Sequence, residues 1–159
     1  MFILIRALTY ATLFIGFVLI AVPARLLAAS GLARPEEIGP QQMAGLLVLA
    51  AGGLIVAACV LAFVTVGKGT PFPLDPPRNL VARGPYAIIR NPMYAGAAIA
   101  MSGAALYYGS WWLFGYVVFF FTVTHLFVVT YEEPTLRETF GEAYAEYRAG
   151  VGRWWPGGV

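Results

Sequence analysis

The chain has 159 residues, of which 60% are hydrophobic and 11% are charged, and its formal net charge is +2. A soluble domain is about half apolar and about a quarter charged, so the composition excludes that class and indicates a membrane protein. The small net charge argues against nucleic-acid binding, and the single cysteine, Cys59, excludes an intrachain disulfide and a thiolate metal cluster. The length suits one membrane domain over residues 1–159, with four or five helices.

The first two apolar runs cover residues 2–22, which Pro23 closes, and residues 43–66. Each is long enough to cross the ~30 Å hydrocarbon layer at about 1.5 Å per helical residue, so we expect two membrane helices within residues 1–66. A cleaved signal peptide is the alternative for the first run, because residues 21–24 resemble a cleavage site. We favour the membrane helix, since the run exceeds the roughly 7–15 apolar residues of a signal peptide.

The next two apolar runs, residues 92–108 and 111–131, follow a proline-rich break at 67–91 that is unsuited to a helix. Pro92 suits the first turn of a helix, and residues 109–110 offer a tight turn. The two runs therefore predict a helical hairpin. We expect its helices to pack through small residues whose spacing lets backbones approach closely, namely Gly96, Ala100 and Ala104.

Most positive charges fall on one side of this four-helix arrangement. With four crossings, eight Lys and Arg lie in the connections on one side and two on the other. The eight are Arg6, Lys68, Arg78, Arg83, Arg90, Arg137, Arg148 and Arg153, and the two are Arg25 and Arg34. The positive-inside rule then predicts that both termini and the 67–91 loop are cytoplasmic. The short chain favours a prokaryotic cytoplasmic membrane.

Residues 132–148 have the pattern of an amphipathic helix. Apolar and aromatic residues recur along one face and glutamates along another: Leu136, Phe140, Tyr144 and Tyr147 against Glu138, Glu142 and Glu146. We expect this helix on the cytoplasmic surface, where Trp154 and Trp155 can anchor it at the membrane interface. Glu132 and Glu133 lie at its start, where they either complement a helix N-terminal dipole or hold a ribose hydroxyl or an ammonium group of a ligand.

The polar stretch at residues 78–96 contains three arginines, two prolines and two glycines. Such residues do not continue a lipid-facing helix and must line a polar site or face water. Taken singly, its arginines also fit lipid headgroups and its tyrosines fit the aromatic belt of a membrane interface. The lone histidine, His125, is a functional candidate within the fourth run, although a neutral histidine hydrogen-bonded across helices is the favoured interpretation.

Five short motifs lie in the second half of the chain, at residues 84–86, 90–96, 132–136, 140–144 and 147–156. In order and spacing they resemble the integral membrane methyltransferases related to isoprenylcysteine carboxyl methyltransferase and to phospholipid methyltransferases. Each motif alone is weak, but the five together are specific. The resemblance covers roughly residues 65–156, while the first two apolar runs match only in being hydrophobic.

The resemblance implies an all-α membrane methyltransferase whose catalytic core, residues 67–156, binds S-adenosylmethionine at the cytoplasmic ends of the last helices. The residues that match the family's cofactor site are Arg78, Asn79, Leu80, Val81, Tyr86, Asn91, Pro92, Met93, Tyr94 and Glu132. Arg90 and Glu132 are the catalytic candidates, with Arg90 orienting a carboxylate of the substrate or cofactor. The family's eukaryotic enzymes carry histidine after this arginine, whereas Asn91 cannot titrate near neutral pH.

Methyl transfer can rest largely on alignment of the reactants and exclusion of water, so neither a catalytic triad nor a metal is required. A site at the membrane boundary suits an acceptor with an apolar tail, either a phospholipid amine or a prenylated thiol or carboxylate. The resemblance favours carboxyl O-methylation. We expect membrane lipids and this lipid-like acceptor as partners, and no nucleic acid. The alternatives are an NADPH-dependent reductase of the sterol reductase type and a non-enzymatic membrane scaffold.

Overall fold

The computed structural model describes residues 15–67 and 79–158, and this part of the chain contains helices and turns but no strand. Its α-helices are α1, Val22–Ala29; α2, Pro40–Ala62; α3, Pro92–Tyr108; α4, Trp111–Phe127; and α5, Glu133–Gly150. Turns of π-helix extend three of them, at Ile15–Ala21 before α1, Phe63–Gly67 after α2 and Val128–Glu132 after α4. A short 3₁₀ turn, Gly84–Ala87, precedes α3.

Within the described residues, two continuous helical stretches are long and apolar enough to cross a membrane. These are Pro40–Gly67, with 28 residues, and Trp111–Gly150, with 40 residues. α3 has 17 residues, and the helical stretch Gly16–Ala29 is also shorter than a typical crossing. The all-α fold agrees with the sequence, whereas four crossings and a helix on the cytoplasmic surface stay predictions.

The first helix does not end at Pro23, as the sequence indicated, but continues to Ala29. Pro23 lies in the first turn of α1, directly after the π-helical turn. A proline is tolerated at such a change of hydrogen-bond register, because the amide that it lacks is not needed there. The start of the run, including Arg6, lies outside the described residues.

The small-residue stripe of α3 packs against α2, and this corrects the prediction that it packs against α4. A Cβ added at Gly52 would meet the backbone of Gly96 and Ala100, and one added at Gly103 would meet the backbone of Gly45 and Leu49. The glycines therefore let the two antiparallel backbones touch, as small residues do in membrane helix pairs. Larger side chains there would force α2 and α3 apart.

The predicted hairpin of α3 and α4 is present and is closed by turn chemistry. Gly109 ends α3 with φ of 60° and ψ of 33°, the left-handed conformation that glycine adopts most easily. The Ser110 hydroxyl then caps α4 by accepting a hydrogen bond from the Leu113 amide at 3.3 Å. α4 packs on α3 through an apolar cluster that includes Ala97, Met101 and Phe120.

Two glutamines at the start of α2 form hydrogen bonds to the C-terminal end of α3. The side-chain amides of Gln41 and Gln42 donate to the carbonyl oxygens of Leu106 and Tyr107 at 2.9 and 3.4 Å. These bonds add partners for carbonyl oxygens in the last turn of α3, where the regular helix hydrogen bonds end. Because the helices are antiparallel, the end of α2 and the start of α3 meet at the other end of the bundle.

α4 runs into α5 without a break, although the sequence predicted a separate surface helix. The backbone of Glu132 is helical, with φ of −67° and ψ of −51°, so α5 continues the preceding π-helical turn and has no free N-terminus at Glu132 or Glu133. The helix N-terminal dipole therefore cannot explain the two acids. The first real departure is at Gly141, where φ of 53° and ψ of −123° kink the helix.

Candidate functional site

A narrow cleft lies where the end of α2, the 84–87 turn, the start of α3 and the junction of α4 with α5 meet. Its lining residues are Phe63, Tyr86, Arg90, Asn91, Met93, Tyr94 and Glu132. All of them except Phe63 belong to the site that the sequence predicted. The cleft holds about 20 Å³, room for about one water molecule, whereas small-molecule sites hold ~300–1,000 Å³. Its walls must therefore move apart before a ligand of cofactor size can enter.

Glu132 contributes the negative charge of the cleft. It lies in the π-helical turn after α4, half-buried, and its Oε2 accepts a hydrogen bond of 3.0 Å from the Tyr94 hydroxyl in the first turn of α3. Among the described residues, no cation pairs with this carboxylate. Since even partial burial of a carboxylate is costly without a positive partner, Glu132 favours a cationic ligand in the cleft.

Glu133 is buried on another face of the same helix and is surrounded by arginines. Its Oε1 lies 3.0 Å from Arg90 Nη1 and 2.6 Å from Arg153 Nε, and its Oε2 lies 3.0 Å from Arg153 Nη2. Arg137 Nη2 is 3.9 Å from Oε2, and that side chain is 52% exposed. Successive residues of a helix point about 100° apart, which explains why neighbouring acids have such different partners.

Arg90 lines the cleft and also contacts the buried carboxylate of Glu133. Its Nη1 contacts Glu133 and also donates to the hydroxyl of Tyr144 at 3.2 Å. Its Nε is buried and has no hydrogen-bond partner in the described part of the chain. A buried donor left unpaired costs about 1–3 kcal/mol, so an acceptor entering the cleft lined by Arg90 would remove a penalty that the protein now carries.

The C-terminal strap, which we define as residues 151–155, crosses behind Arg90 and Asn91. The Arg90 amide donates to the carbonyl oxygen of Gly152 at 2.8 Å, and Asn91 Nδ2 donates to the carbonyl oxygen of Arg153 at 3.2 Å. The hydrogen bond to Glu133 raises the pKa of Arg153 above its ordinary value. Asn91 therefore helps to hold the strap in place.

Trp154 docks the far end of the strap on α4. Its indole Nε1 donates to His125 Nδ1 at 3.0 Å, and its ring packs on Phe121 with centroids 4.7 Å apart. His125 therefore hydrogen-bonds to the C-terminal strap, whereas the sequence predicted a hydrogen bond across helices. Trp155, in contrast, is 81% exposed, as an anchor at an interface would be.

Tyr86 forms the aromatic wall of the cleft. It packs edge-on against Phe63 with ring centroids 5.4 Å apart, and its carbonyl oxygen accepts a 2.6 Å hydrogen bond from the Tyr147 hydroxyl. Cys59, Val81 and Met93 complete the buried cluster around it. Burial raises the pKa of Tyr86 well above its usual value, so its phenol stays neutral.

Three other predicted cofactor residues that the structure describes, Asn79, Leu80 and Pro92, do not line the cleft. Asn79 bonds to the end of the helical stretch that follows α2, since its amide and Nδ2 donate to the carbonyl oxygens of Gly67 and Val66, each at 3.3 Å. Leu80 is half-buried, and Pro92 is buried in the first turn of α3. Arg78 and Lys68 lie outside the described residues.

Several residues of the site were not among the predicted site residues. Phe63 lies within the apolar run 43–66 and carries no local signal of its position. Glu133, Tyr144 and Arg153 belong to motifs that the resemblance singled out, and the alternation of acids and arginines there was the only available signal. Their pairing depends on contacts between residues 20 and 54 positions apart, which spacing along the chain does not reveal.

A family model described as phospholipid methyltransferase matches residues 40–143. The match begins at α2, includes Arg90 and Glu132, and ends within α5, before Tyr144 and the C-terminal strap. Comparison with curated proteins and with solved structures found no match. The family model covers well over half of the chain and agrees with the resemblance of the five motifs. The chain thus belongs to the phospholipid methyltransferase family, a family of membrane-associated methyltransferases.

Proposed function

We propose that the protein is an S-adenosylmethionine-dependent methyltransferase that acts on a lipid-like acceptor at the membrane interface. The observation that carries this proposal is that an unpaired carboxylate and an unpaired guanidinium donor belong to residues that line the same cleft. In the described part of the chain, Glu132 is a carboxylate without a cationic partner, and Arg90 Nε is a buried donor without an acceptor. S-adenosylmethionine has cationic sulfonium and ammonium groups and a carboxylate, so its charges match both residues.

The residues of this chain act by holding and aligning the cofactor, which supplies an activated methyl group when bound. Arg90 holds the carboxylate, and Glu132 holds the ammonium group or the ribose hydroxyls. Tyr94 keeps the Glu132 carboxylate in place through its 3.0 Å hydrogen bond. Correct alignment of reacting groups supplies much of the acceleration in such transfers, which explains why the site needs no proton shuttle at Asn91.

Aromatic residues suit the remaining parts of the cofactor. Tyr86 and Tyr94 present neutral rings to a cleft that also contains Glu132, and aromatic faces attract cations such as a sulfonium. We assign Val81, Asn91, Pro92 and Met93 to shaping this wall. Arg78, Asn79 and Leu80 complete the proposed cofactor set on the side from which the chain enters the turn.

An apolar cavity supports an acceptor with a hydrocarbon tail. It holds about 200 Å³, and its lining residues are Leu19, Ile20, Pro23, Leu49, Ala100, Met101, Ala104, Leu113 and Tyr116. Ala100 lies six residues beyond Tyr94 on α3, about 9 Å deeper along the helix axis. A lipid whose head is at Glu132 would have its tail at this depth. We keep a phospholipid amine and a prenylated carboxylate as the two acceptor classes.

The topology completes the proposal. We place the cleft on the cytoplasmic side, with four crossings, both termini cytoplasmic and residues 1–159 forming one domain. The excess of arginine around the cleft supports this orientation. Attachment of a membrane-impermeant thiol reagent to cysteines introduced at Arg34 and Glu146 in spheroplasts tests it. The reagent should label the first position and not the second, and the reverse result would overturn the orientation.

A transfer assay tests the activity directly. Purified protein, S-adenosylmethionine labelled in its methyl group and a total lipid extract should yield a labelled lipid, whose headgroup chemistry identifies the acceptor class. Calorimetry should show saturable binding of the cofactor that Arg90→Ala and Glu132→Ala abolish while the protein stays monodisperse. Binding of NADPH without binding of S-adenosylmethionine would instead support a reductase, and binding of neither would support a scaffold.

A further inference from the structure

We propose that Arg153, in the C-terminal strap, is a positioning residue that keeps Arg90 Nε free for the carboxylate of the ligand. The inference rests on the proposed function, because it assigns a specificity device to the same cleft. It concerns a part of the chain beyond residues 40–143, which the family model matches. The strap would thus contribute to ligand binding by positioning Arg90.

The strap is docked by side chains at neighbouring positions. Arg153 forms a two-pronged pair with Glu133, at 2.6 and 3.0 Å, and Trp154 donates to His125 at 3.0 Å. Two-pronged arginine–carboxylate pairs fix orientation as well as distance. The strap is therefore held on both α4 and α5.

The turn of the strap tolerates no side chain at its centre. Gly152 is buried, and a Cβ added there would meet the carbonyl oxygens of Trp155 and Gly157. The same residue accepts the hydrogen bond from the Arg90 amide. The backbone of Arg90 is thereby tied to a compact turn rather than to a loose chain end.

The inference rests on how the two carboxylate oxygens of Glu133 are shared between Arg153 and Arg90. Arg153 contacts both oxygens, Nε on Oε1 and Nη2 on Oε2, while Arg90 contacts Oε1 through Nη1 alone. An arginine that faces a free carboxylate prefers to use two nitrogens. Arg153 therefore prevents Arg90 from forming a two-pronged pair with Glu133. The consequence is that Arg90, which lines the cleft, keeps an Nε without a hydrogen-bond partner among the residues that the structure describes.

Removing Arg153 should leave Glu133 open to a two-pronged pair with Arg90. Arg90 Nε would then be satisfied by Glu133 and withdrawn from the cleft. The binding of a ligand carboxylate would weaken, although Arg90 itself is unchanged. This effect differs from a general loss of structure, because only ligands with a carboxylate should be affected.

The experiment compares S-adenosylmethionine with decarboxylated S-adenosylmethionine, by calorimetry on the full-length protein in detergent. Arg153→Ala should weaken binding of S-adenosylmethionine about tenfold, as expected for one lost charge-assisted hydrogen bond. Binding of the decarboxylated compound should change less than about twofold, since it lacks the group that Arg90 Nε would hold. Equal weakening of both ligands, or no weakening of either, would overturn the inference.

Arg137→Ala is the matched control, since it removes a second arginine from the same carboxylate. Its pair is long, at 3.9 Å, and exposed, so both ligands should bind within about twofold of the unsubstituted protein. A tenfold loss for Arg137→Ala would show that the charge around Glu133, and not the geometry of Arg153, sets the affinity.

Arg153→Lys keeps the proposal testable if Arg153→Ala does not fold. Lysine keeps the charge but is a point donor without the planar fork, so S-adenosylmethionine binding should fall about threefold with the decarboxylated compound unaffected. Unchanged binding of both ligands would overturn the inference while leaving the proposed function intact. Failure of the unsubstituted protein to bind S-adenosylmethionine would overturn the proposed function, and the inference with it.

Discussion

Two carboxylates at consecutive positions occupy opposite kinds of environment. Glu133 contacts three guanidinium groups and its side chain is 5% exposed, whereas the one partner of Glu132 among residues 15–67 and 79–158 is the neutral Tyr94 hydroxyl. Within those residues, only the first carboxylate has cationic partners. The acid that pairs with the arginines and the acid that we propose for ligand binding are therefore distinguished by their partners, not by their chemistry.

Glu133→Ala should have the largest effect on stability. It leaves Arg90 and Arg153 without their shared partner, and breaking a buried ion pair costs about 3–5 kcal/mol. Chemical denaturation in detergent, followed by circular dichroism, would measure the loss. A destabilisation of less than about 1 kcal/mol would show that the arginines find other partners, and the division between the two acids would fail.

Glu132→Gln should have little effect on stability and a large effect on ligand binding. The amide can still accept the hydrogen bond from Tyr94, and an unpaired charge is removed, so the free energy of unfolding should change by less than about 1 kcal/mol. Binding of S-adenosylmethionine should weaken about 10- to 100-fold, because a hydrogen bond to a charged group is worth about 1.5–3 kcal/mol. Calorimetry checks the binding, and an affinity equal to that of the unsubstituted protein would contradict the assignment.

Tyr94→Phe tests whether the hydrogen bond to Glu132 matters for ligand binding. The ring stays, but Glu132 loses the only hydrogen bond that orients it among the described residues. We expect cofactor binding to weaken about 3- to 10-fold, in line with the ~0.5–1.5 kcal/mol of one hydrogen bond. Tyr116→Phe is a suitable control, because its hydroxyl bonds to the carbonyl oxygen of Val18 away from the cleft.

Arg137→Ala should have the smallest effect on stability. Its contact with Glu133 is 3.9 Å long and its side chain is 52% exposed, and such surface pairs contribute about 0–1 kcal/mol. The free energy of unfolding should therefore match that of the unsubstituted protein within about 0.5 kcal/mol. A loss comparable to that of Glu133→Ala would mean that Arg137 belongs to the buried cluster.

Much of the helix pattern was readable from the chain. The bounds of α3 agree with the predicted run at residues 92–108 because Pro92 and Gly109 mark its ends. On the predicted apolar face of α5, Tyr144 is buried at 1% exposure, and the other three residues, Leu136, Phe140 and Tyr147, are half-buried. The continuous passage from α4 to α5 was missed, because a π-helical turn leaves no mark in hydrophobic periodicity.

The candidate site was predicted as a set of residues and not as a geometry. Arg90, Tyr94 and Glu132 line one cleft, as expected if their motifs face each other. The partner of the small-residue stripe was misjudged, because spacing along α3 shows that a helix can pack closely and does not show against which neighbour. Gly45 and Gly52 of α2 decide that question through contacts between helices.

Composition and motif order by themselves determined that this is a helical membrane-type chain of the phospholipid methyltransferase family, since hydropathy and local residue chemistry are properties of the chain. Only the tertiary structure decided which glutamate meets the arginines, which glutamate faces the cleft, and that the C-terminal strap lies behind Arg90. Those outcomes depend on the rotation of a side chain about its helix and on contacts between distant residues. Neither of these is encoded in the spacing of two adjacent acids.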